Sequence, residues 1–361
     1  MGRRFRNRIT GAPMGLFILR RLGVMILTAL CLTFIVFTLT NLEPNLEKLA
    51  KNQANARMTD DQVISWLDNR GYNDPMLIKY GRWLGVLPHF TREEDGEVVY
   101  SRCATPGTTI EEAGSFCGVL QGNWGWSTVF QNEVLEILGV RGWQTAKLMF
   151  FVMLVMVPGA LIVGVLAGMK EGSKLDRSLS TFSIGTTATP EYVSGVIFIS
   201  LLASPMIGPN WFVGSAQTAM DNITFENFTL PVLTIALYGM GYIARMTRAS
   251  MTEVMTAQYI RTARLKGVSF QQIVLKHALR NALIAPFTVI MLQLPWLLNG
   301  VVIVETLFNF KGFGWTLVQA AGNNDIELLL GVSIISVVVV LVTQLISDIG
   351  YVFLNPRIRI A

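Results

Sequence analysis

The chain has 361 residues, 52% of them hydrophobic and 15% charged, with a mean hydropathy of +0.47 and a formal net charge of +5. A soluble domain carries about 25% charged residues, so this balance excludes one and places the chain in a bilayer. The positive charge does not call for nucleic acid, because basic residues interleaved with aromatics are absent outside the membrane flanks.

Residues 1–21 form a basic N-terminus with Arg3, Arg4, Arg6, Arg8, Arg20 and Arg21. The uncharged run Leu22–Leu42 follows, long enough to cross a ~30 Å hydrocarbon core. It exceeds the ~7–15 apolar residues of a cleaved signal peptide and exits through Thr40-Asn-Leu-Glu-Pro44. The expectation is a retained first span, 22–42, with the N-terminus in the cytoplasm.

Residues 43–142 are the one sizeable polar region and are expected to form an extracytoplasmic domain. Asn45–Leu87 alternates apolar and polar residues in a helical manner, and Thr59-Asp-Asp-Gln62 predicts a capping box for a helix toward Leu67. Residues 88–117 are rich in charge, Gly and Thr and read as an insertion. Cys103 and Cys117 both lie there, whereas Cys31 lies in the first span. A bridge between the two would close about 15 residues, worth ~3 kcal/mol by chain entropy; the alternative is two free thiols. With no CxxC pair and no His/Cys cluster in the sequence, no metal site is expected. Trp124, Trp126 and Trp143 near a span boundary read as an interfacial belt, or as part of an outer gate or docking platform.

Residues 143–354 contain five further apolar runs: Trp143–Met169, Ser178–Ala203, Phe228–Thr247, Leu283–Glu305 and Leu328–Leu354. The expected fold is therefore all-α and integral to the membrane, with six spans and a cytoplasmic tail at 355–361. The charges agree: Lys170, Lys174 and Arg177 follow the second run, seven Lys or Arg lie from Arg245 to Arg280, and Arg357 and Arg359 follow the sixth. The intervening connections carry only Lys311. Pro158, Pro190, Pro231, Pro286 and Pro295 fall within the runs, where proline frees backbone carbonyls and permits kinks. Glu191 follows Pro190 inside the third run, and an intramembrane carboxylate is a pathway candidate by default. Its competing reading is a cap for the backbone that the proline frees. Glu305 and Asp176, at run ends, are expected to be structural. His89 and His277 offer no catalytic pair.

The polar segment 248–282 has internal construction. Thr252–Lys266 suits a helix, and Gly267 falls where a left-handed terminating residue is wanted. Ser269 with Gln272 predicts a second capping box, and Phe270, Ile273, Val274, His277 and Ala278 recur at the spacing of one helical face. Ala263 and Gly267 leave little side chain at the bend, so another protein can approach the backbone. Arg261, Arg264, Lys266, Lys276 and Arg280 have two explanations, topology with lipid headgroups or complementarity to a soluble partner.

Tyr259-Ile-Arg-Thr-Ala-Arg-Leu-Lys-Gly267, with His277-Ala-Leu-Arg-Asn281 and Pro286, resembles the coupling loop of permease subunits of binding-protein-dependent ABC importers, in their dipeptide/oligopeptide/nickel branch. Arg261 stands where the general form has glutamate, and Ala285 lengthens the approach to Pro286. Tyr80-Gly-Arg-Trp-Leu84, Gly118-Val-Leu-Gln-Gly122, Arg245-Met-Thr-Arg-Ala-Ser250, Glu305-Thr-Leu-Phe308, Gly312-Phe-Gly314 and Asn355-Pro-Arg357 are similar to further landmarks of that branch. Asn355 replaces its usual aspartate, and residues 88–116 have no counterpart.

The resemblance implies the type I importer permease fold in a bacterial inner membrane, forming half of a pathway for a small peptide. It implies as partners a second permease, two ATPase subunits that hold ATP and Mg, and an extracytoplasmic binding protein. It also implies that Arg261, Thr262, Ala263, Arg264, Gly267, Ser269, Phe270 and His277 meet an ATPase. The chain has no Gly-x-x-x-x-Gly-Lys-Ser/Thr sequence, so it cannot cradle ATP in the Walker manner, and no cofactor is expected in it. Competing readings are a permease for a nickel chelate or oligosaccharide, a self-sufficient secondary transporter, which needs coupling-ion residues and repeats, and an intramembrane enzyme, which needs a catalytic pair.

Overall fold

The computed structural model describes residues 14–94, 97–101, 103–104, 109, 114–204 and 211–354. Arg3, Arg4, Arg6, Arg8, the tail 355–361 with Asn355, Arg357 and Arg359, and much of the insertion around Cys103 lie outside the described residues.

The first apolar run forms α1 (Met14–Thr40). Three short helices follow, α2 (Glu43–Gln53), α3 (Asp60–Asp68) and α4 (Met76–Leu84), then an antiparallel hairpin of β1 (Thr91–Glu94) and β2 (Glu97–Ser101). At the start of α3 the Thr59 N–H donates to Gln62 Oε1 at 3.0 Å, as the Thr-x-x-Gln spacing predicts. A two-residue ladder, β3 (Trp126–Ser127) with β4 (Asn132–Glu133), leads into α5 (Val134–Gly168). Then come α6 (Lys174–Ala188), α7 (Glu191–Phe198), which continues as a π turn over Ile199–Ala203, and α8 (Phe225–Thr256). The remainder is α9 (Gln258–Leu265), α10 (Phe270–Gln272), a π segment Ile273–Ala278, α11 (Leu279–Ala282), α12 (Ile284–Leu307), α13 (Phe313–Gly322) and α14 (Ile326–Leu354).

Among the described residues four helices are long and apolar enough to cross a membrane alone: Ile18–Thr40 of α1, α5, α8, and Ile326–Gly350 of α14. Phe270–Ala282 and Ile284–Leu298, bent by 49°, make a fifth if taken together. The third run is not one helix, which corrects the expectation for 178–203. Thr189 and Pro190 are extended, with ψ of 118° and 149°, because proline lacks an N–H and pushes the preceding residue out of the helical region.

Packing sets the helix directions. Arg21 of α1 pairs with Asp348 of α14 at one end, while Phe37 shares a cluster with Ile326 and Leu330 at the other, so the two are antiparallel. α5 and α8 are parallel, since Gly159 faces Met240, Gly164 faces Ala244 and Thr247, and Gly168 faces Met251. A Cβ on Gly164 would lie 2.4 Å from Thr247 Cβ and 2.6 Å from the Ala244 oxygen. This is the close approach that a small-xxx-small pair permits where lipid offers no hydrophobic drive. α12 and α14 are antiparallel: Ser347 Oγ donates to the Met291 oxygen at 2.7 Å, and α13 folds over the opposite ends.

The polar domain sits on one end of this bundle. Leu46, Leu49, Ala50, Val63, Leu67 and Trp83 form a core with Phe37 of α1 and Ile326 and Leu330 of α14. Asp325 tightens the attachment: it accepts from Ser127 Oγ at 2.6 Å and the Val129 N–H at 3.2 Å, and its other oxygen caps α14 at the Leu328 N–H. Cys103 and Cys117 are joined in a disulfide, with Cα atoms 5.6 Å apart. His89 lies within 4.8 Å of both sulfurs, a cluster in space that the sequence did not disclose. With the sulfurs joined, the thiolates that a metal would require are consumed.

Candidate functional site

At the end of the bundle opposite the polar domain, the chain leaves α8 through Ala257, whose ψ of 149° ends that helix and turns α9 away from it. The predicted single helix over 252–266 is thus two pieces. α9 closes in a Schellman motif: the Gly267 N–H donates to the Arg264 oxygen at 3.0 Å and the Val268 N–H to the Ala263 oxygen at 3.2 Å, with Gly267 at φ +76°. Ser269 occupies the next N-cap position with extended backbone, but its hydroxyl accepts no capping bond, so the second box does not form. Instead the following turn widens into the π segment.

That widening decides which side chains face out. Ile273, Val274 and Ala278 pack with Met251 and Met255 of α8, Ile260 and Ala263 of α9, and Ala282. Phe270 and His277, predicted on the same face, are exposed. Ala263 is likewise turned into this small core and is not open to a partner, again unlike the expectation. Val165 of α5 and Met169, which caps its end, join the cluster, and Asn281 Nδ2 donates to Tyr259 Oη at 2.9 Å across the mouth of the loop. The loop is therefore a folded unit fastened to α5 and α8. Its outer face presents Arg261, Thr262, Arg264, Lys266, Gly267, Ser269 and His277, around Leu265, 82% exposed, Leu275, 65% exposed, and Phe270. Sequence reasoning missed the two leucines; the signal was an apolar residue inside a basic stretch, at positions the inner core does not use.

The base of the loop is clamped. Asp176, at the start of α6 and 2% exposed, accepts from Arg248 Nε at 2.5 Å and Nη2 at 2.8 Å, from the Gly172 N–H at 2.9 Å and from Ser180 Oγ at 3.0 Å. Arg248 chiefly, helped by the Gly172 and Ser180 donors against the opposing effect of burial, holds this carboxyl well below the usual carboxylate range. Ser173 caps the same helix by accepting from the Asp176 N–H at 3.1 Å.

Glu191 is the first residue of α7, directly after Pro190 at the break, and is half-buried. Its Oε1 lies 3.5 Å from where a Cβ on Gly300 of α12 would stand, and the edge of the Trp296 ring lies 3.7 Å from the same point. Trp296 stacks on Tyr238 of α8, with centroids 4.8 Å apart and planes 16° from parallel. Glu305 differs in kind. It is fully buried, accepts from Thr145 Oγ1 at 2.5 Å and from the Trp315 N–H at 3.0 Å, and so sits on the N-terminal turn of α13, where a carboxylate is favoured. Of the tryptophans, Trp143 is exposed beside the end of the bundle, whereas Trp124 packs against the cluster of Val134, Leu138 and Leu328.

Long apolar helices bound edge to edge, a carboxylate held at a helix break among them and a folded loop fastened to one end define a polytopic membrane protein. The chain belongs to the family described as binding-protein-dependent transport system inner membrane component, which matches residues 160–360. It is 30% identical over 349 residues to a probable peptide ABC transporter permease protein, y4tP, of Sinorhizobium fredii, covering 96% of this chain and all of the relative. It is 28% identical to the oligopeptide transport system permease protein AppB of Bacillus subtilis, covering 96% of this chain and 100% of the relative. A metal-staphylopine import system permease protein, CntB, of Staphylococcus aureus is 26% identical over 95% of this chain and 98% of its own length.

Proposed function

We propose that this chain is the membrane-spanning permease subunit of an ATP-driven importer of short peptides. The observation that carries this is the loop at 257–283, folded onto the ends of α5 and α8 with an apolar, basic-rimmed face turned outward. A segment that only marked topology needs no core of its own. Its partner would be one of two ATPase subunits, the sites of ATP and Mg binding and hydrolysis, and Arg261, Thr262, Arg264, Leu265, Gly267, Ser269, Phe270 and His277 would meet it. Ala263 would act from beneath, by supporting the face. The alternating helix directions suit six passes, made by α1, α5, the broken pair α6–α7, α8, α12 and α14. The basic flanks suit a cytoplasmic location for the loop and both termini, in a bacterial inner membrane. The polar domain, 43–142 with its insertion at 88–117, would then face a binding protein outside, and a second permease would complete the pathway that Pro190 and Glu191 border.

Peptide cargo is supported by the names of two full-length relatives; a metal chelate is the second reading, supported by the staphylopine relative. The test is co-purification of the chain with two ATPase subunits, and ATP-dependent peptide uptake by the reconstituted complex that stops when hydrolysis is blocked. Uptake by this chain alone, indifferent to ATP, would overturn the reading.

A further inference from the structure

Between α6, α8 and α12 lies a cavity of about 300 Å³, lined by Thr187, Tyr238, Tyr242, Leu292, Gln293 and Trp296. This is the lower end of the range for small-ligand sites. Gln293 is only 8% exposed, yet among the described residues its amide makes no hydrogen bond. Its amide opens onto the cavity, where water or a polar solute can meet it. Glu191 offers a second open group, this one charged. Its carboxylate makes no ion pair or hydrogen bond among the described residues, although it stands at the helix break beside Trp296, the ring that also walls the cavity. A half-buried carboxylate with no partner at this break is free to take up a cation, and a stacked Tyr–Trp pair supplies the ring faces on which an ammonium group is attracted. Just beyond Tyr242 on α8, the exposed Arg245 has its guanidinium 5.9 Å from the Tyr242 ring centroid.

The cavity thus has a carboxylate beside its Trp296 wall and a guanidinium beside its Tyr242 wall, with the Gln293 amide opening into it. We propose that it is a transient binding subsite for a short zwitterionic peptide, with the peptide's terminal ammonium at Glu191 and the Trp296–Tyr238 stack, its backbone amide at Gln293, and its carboxylate toward Arg245. This deepens the importer reading and rests on it. Glu191 is then a specificity-determining residue that selects cargo with a free amine inside the membrane, in addition to whatever a binding protein selects outside.

The test follows the modification of a cavity cysteine in the purified complex. In a Cys31→Ser background, where the remaining native cysteines are joined to each other, Thr187→Cys reports occupancy through its rate of reaction with a methanethiosulfonate reagent. Leu292→Cys repeats the measurement from another wall. Millimolar dialanine is expected to slow both reactions at least threefold, N-acetyl-dialanine to leave them unchanged, and Glu191→Gln to abolish the protection while Glu191→Asp retains part of it. Equal protection by the acetylated peptide, protection that survives Glu191→Gln, or no protection by dialanine would each overturn the subsite. ATP-dependent uptake by the wild-type complex tests the importer reading separately, so failure of one is distinguishable from failure of the other.

Discussion

At the scale of single residues, the buried carboxylates divide by what surrounds them. Asp176 is matched on every side, so its removal strands a guanidinium. Asp176→Ala is expected to cost about 3 kcal/mol, as breaking a buried pair does, read as a lower melting temperature in detergent; adding Arg248→Ala should cost less than the sum of the two changes. Because the folded-state pKa of Asp176 is depressed, its contribution is fully present above about pH 4, the unfolded value. It is lost only as pH falls through the lower folded value, so the difference in melting temperature between wild type and Asp176→Asn should hold from pH 8 to 5 and shrink below about pH 4. Glu305 has donors but, among the described residues, no cation. Glu305→Ala would leave the Thr145 hydroxyl and the Trp315 N–H without their acceptor, at about 1–3 kcal/mol each. Glu305→Gln keeps a carbonyl for one of them and should be milder in the same assay. The sequence marked Asp176 and Glu305 as structural acids at run ends, but not their partners. Asp176 meets Arg248 across 72 residues of chain, and no local pattern encodes that meeting.

At the scale of elements, local rules were legible and tertiary ones were not. The left-handed Gly267 and the Thr59 cap rest on nearest neighbours, and both formed as the spacing predicts. The π segment did not follow from helical spacing, because its register is set by Ile273, Val274 and Ala278 fitting against Met251 and Met255. The break at Thr189–Pro190 was readable from the proline, yet the unbroken apolar count across it suggested a single span. For the loop, Gly267 allows strain and obstruction to be separated. Any side chain there pays about 1–2 kcal/mol for the left-handed backbone, while nothing within 4 Å would meet its Cβ. Gly267→Ala should therefore lower stability slightly and leave transport coupled to hydrolysis, whereas Gly267→Trp should insert in the membrane but hydrolyse ATP without uptake. Equal effects of the two, measured as peptide moved per ATP, would count against a contact face at this position.

At the scale of the whole molecule, composition alone read the class, since apolar runs of membrane length cannot be mistaken for soluble helices. The attachment of the polar domain was not readable. It depends on Asp325 reaching Ser127 and on the Asn324 amide donating to the Asn45 oxygen at 2.9 Å, pairs that are remote in sequence. The Cys103–Cys117 bridge, with a sequence separation of 14, is worth about 3 kcal/mol to its loop by chain entropy. Deleting 89–116 should weaken docking of the binding protein at least tenfold, measured by surface binding, while co-purification with the ATPases stays intact. Docking that survives the deletion would move the platform elsewhere on the domain.

The parallel pair α5 and α8 has a mechanical consequence. From Tyr238 in the cavity to Thr256 at the loop, α8 is one uninterrupted helix without proline, a rod of about 27 Å at 1.5 Å per residue. Gly164 and Gly168 seat α5 against it along that length, and Arg248 bolts α6 to the same shaft. Gly239 and Gly241 are held closely against Met156 of α5 and Ser183 of α6, so this stretch is braced on two sides and a displacement of the loop would be carried toward the cavity wall. The Thr189–Pro190 break leaves Glu191 on the far side of a joint from α6. A turn of the shaft would therefore be read as a change in the separation of Tyr238 and Glu191.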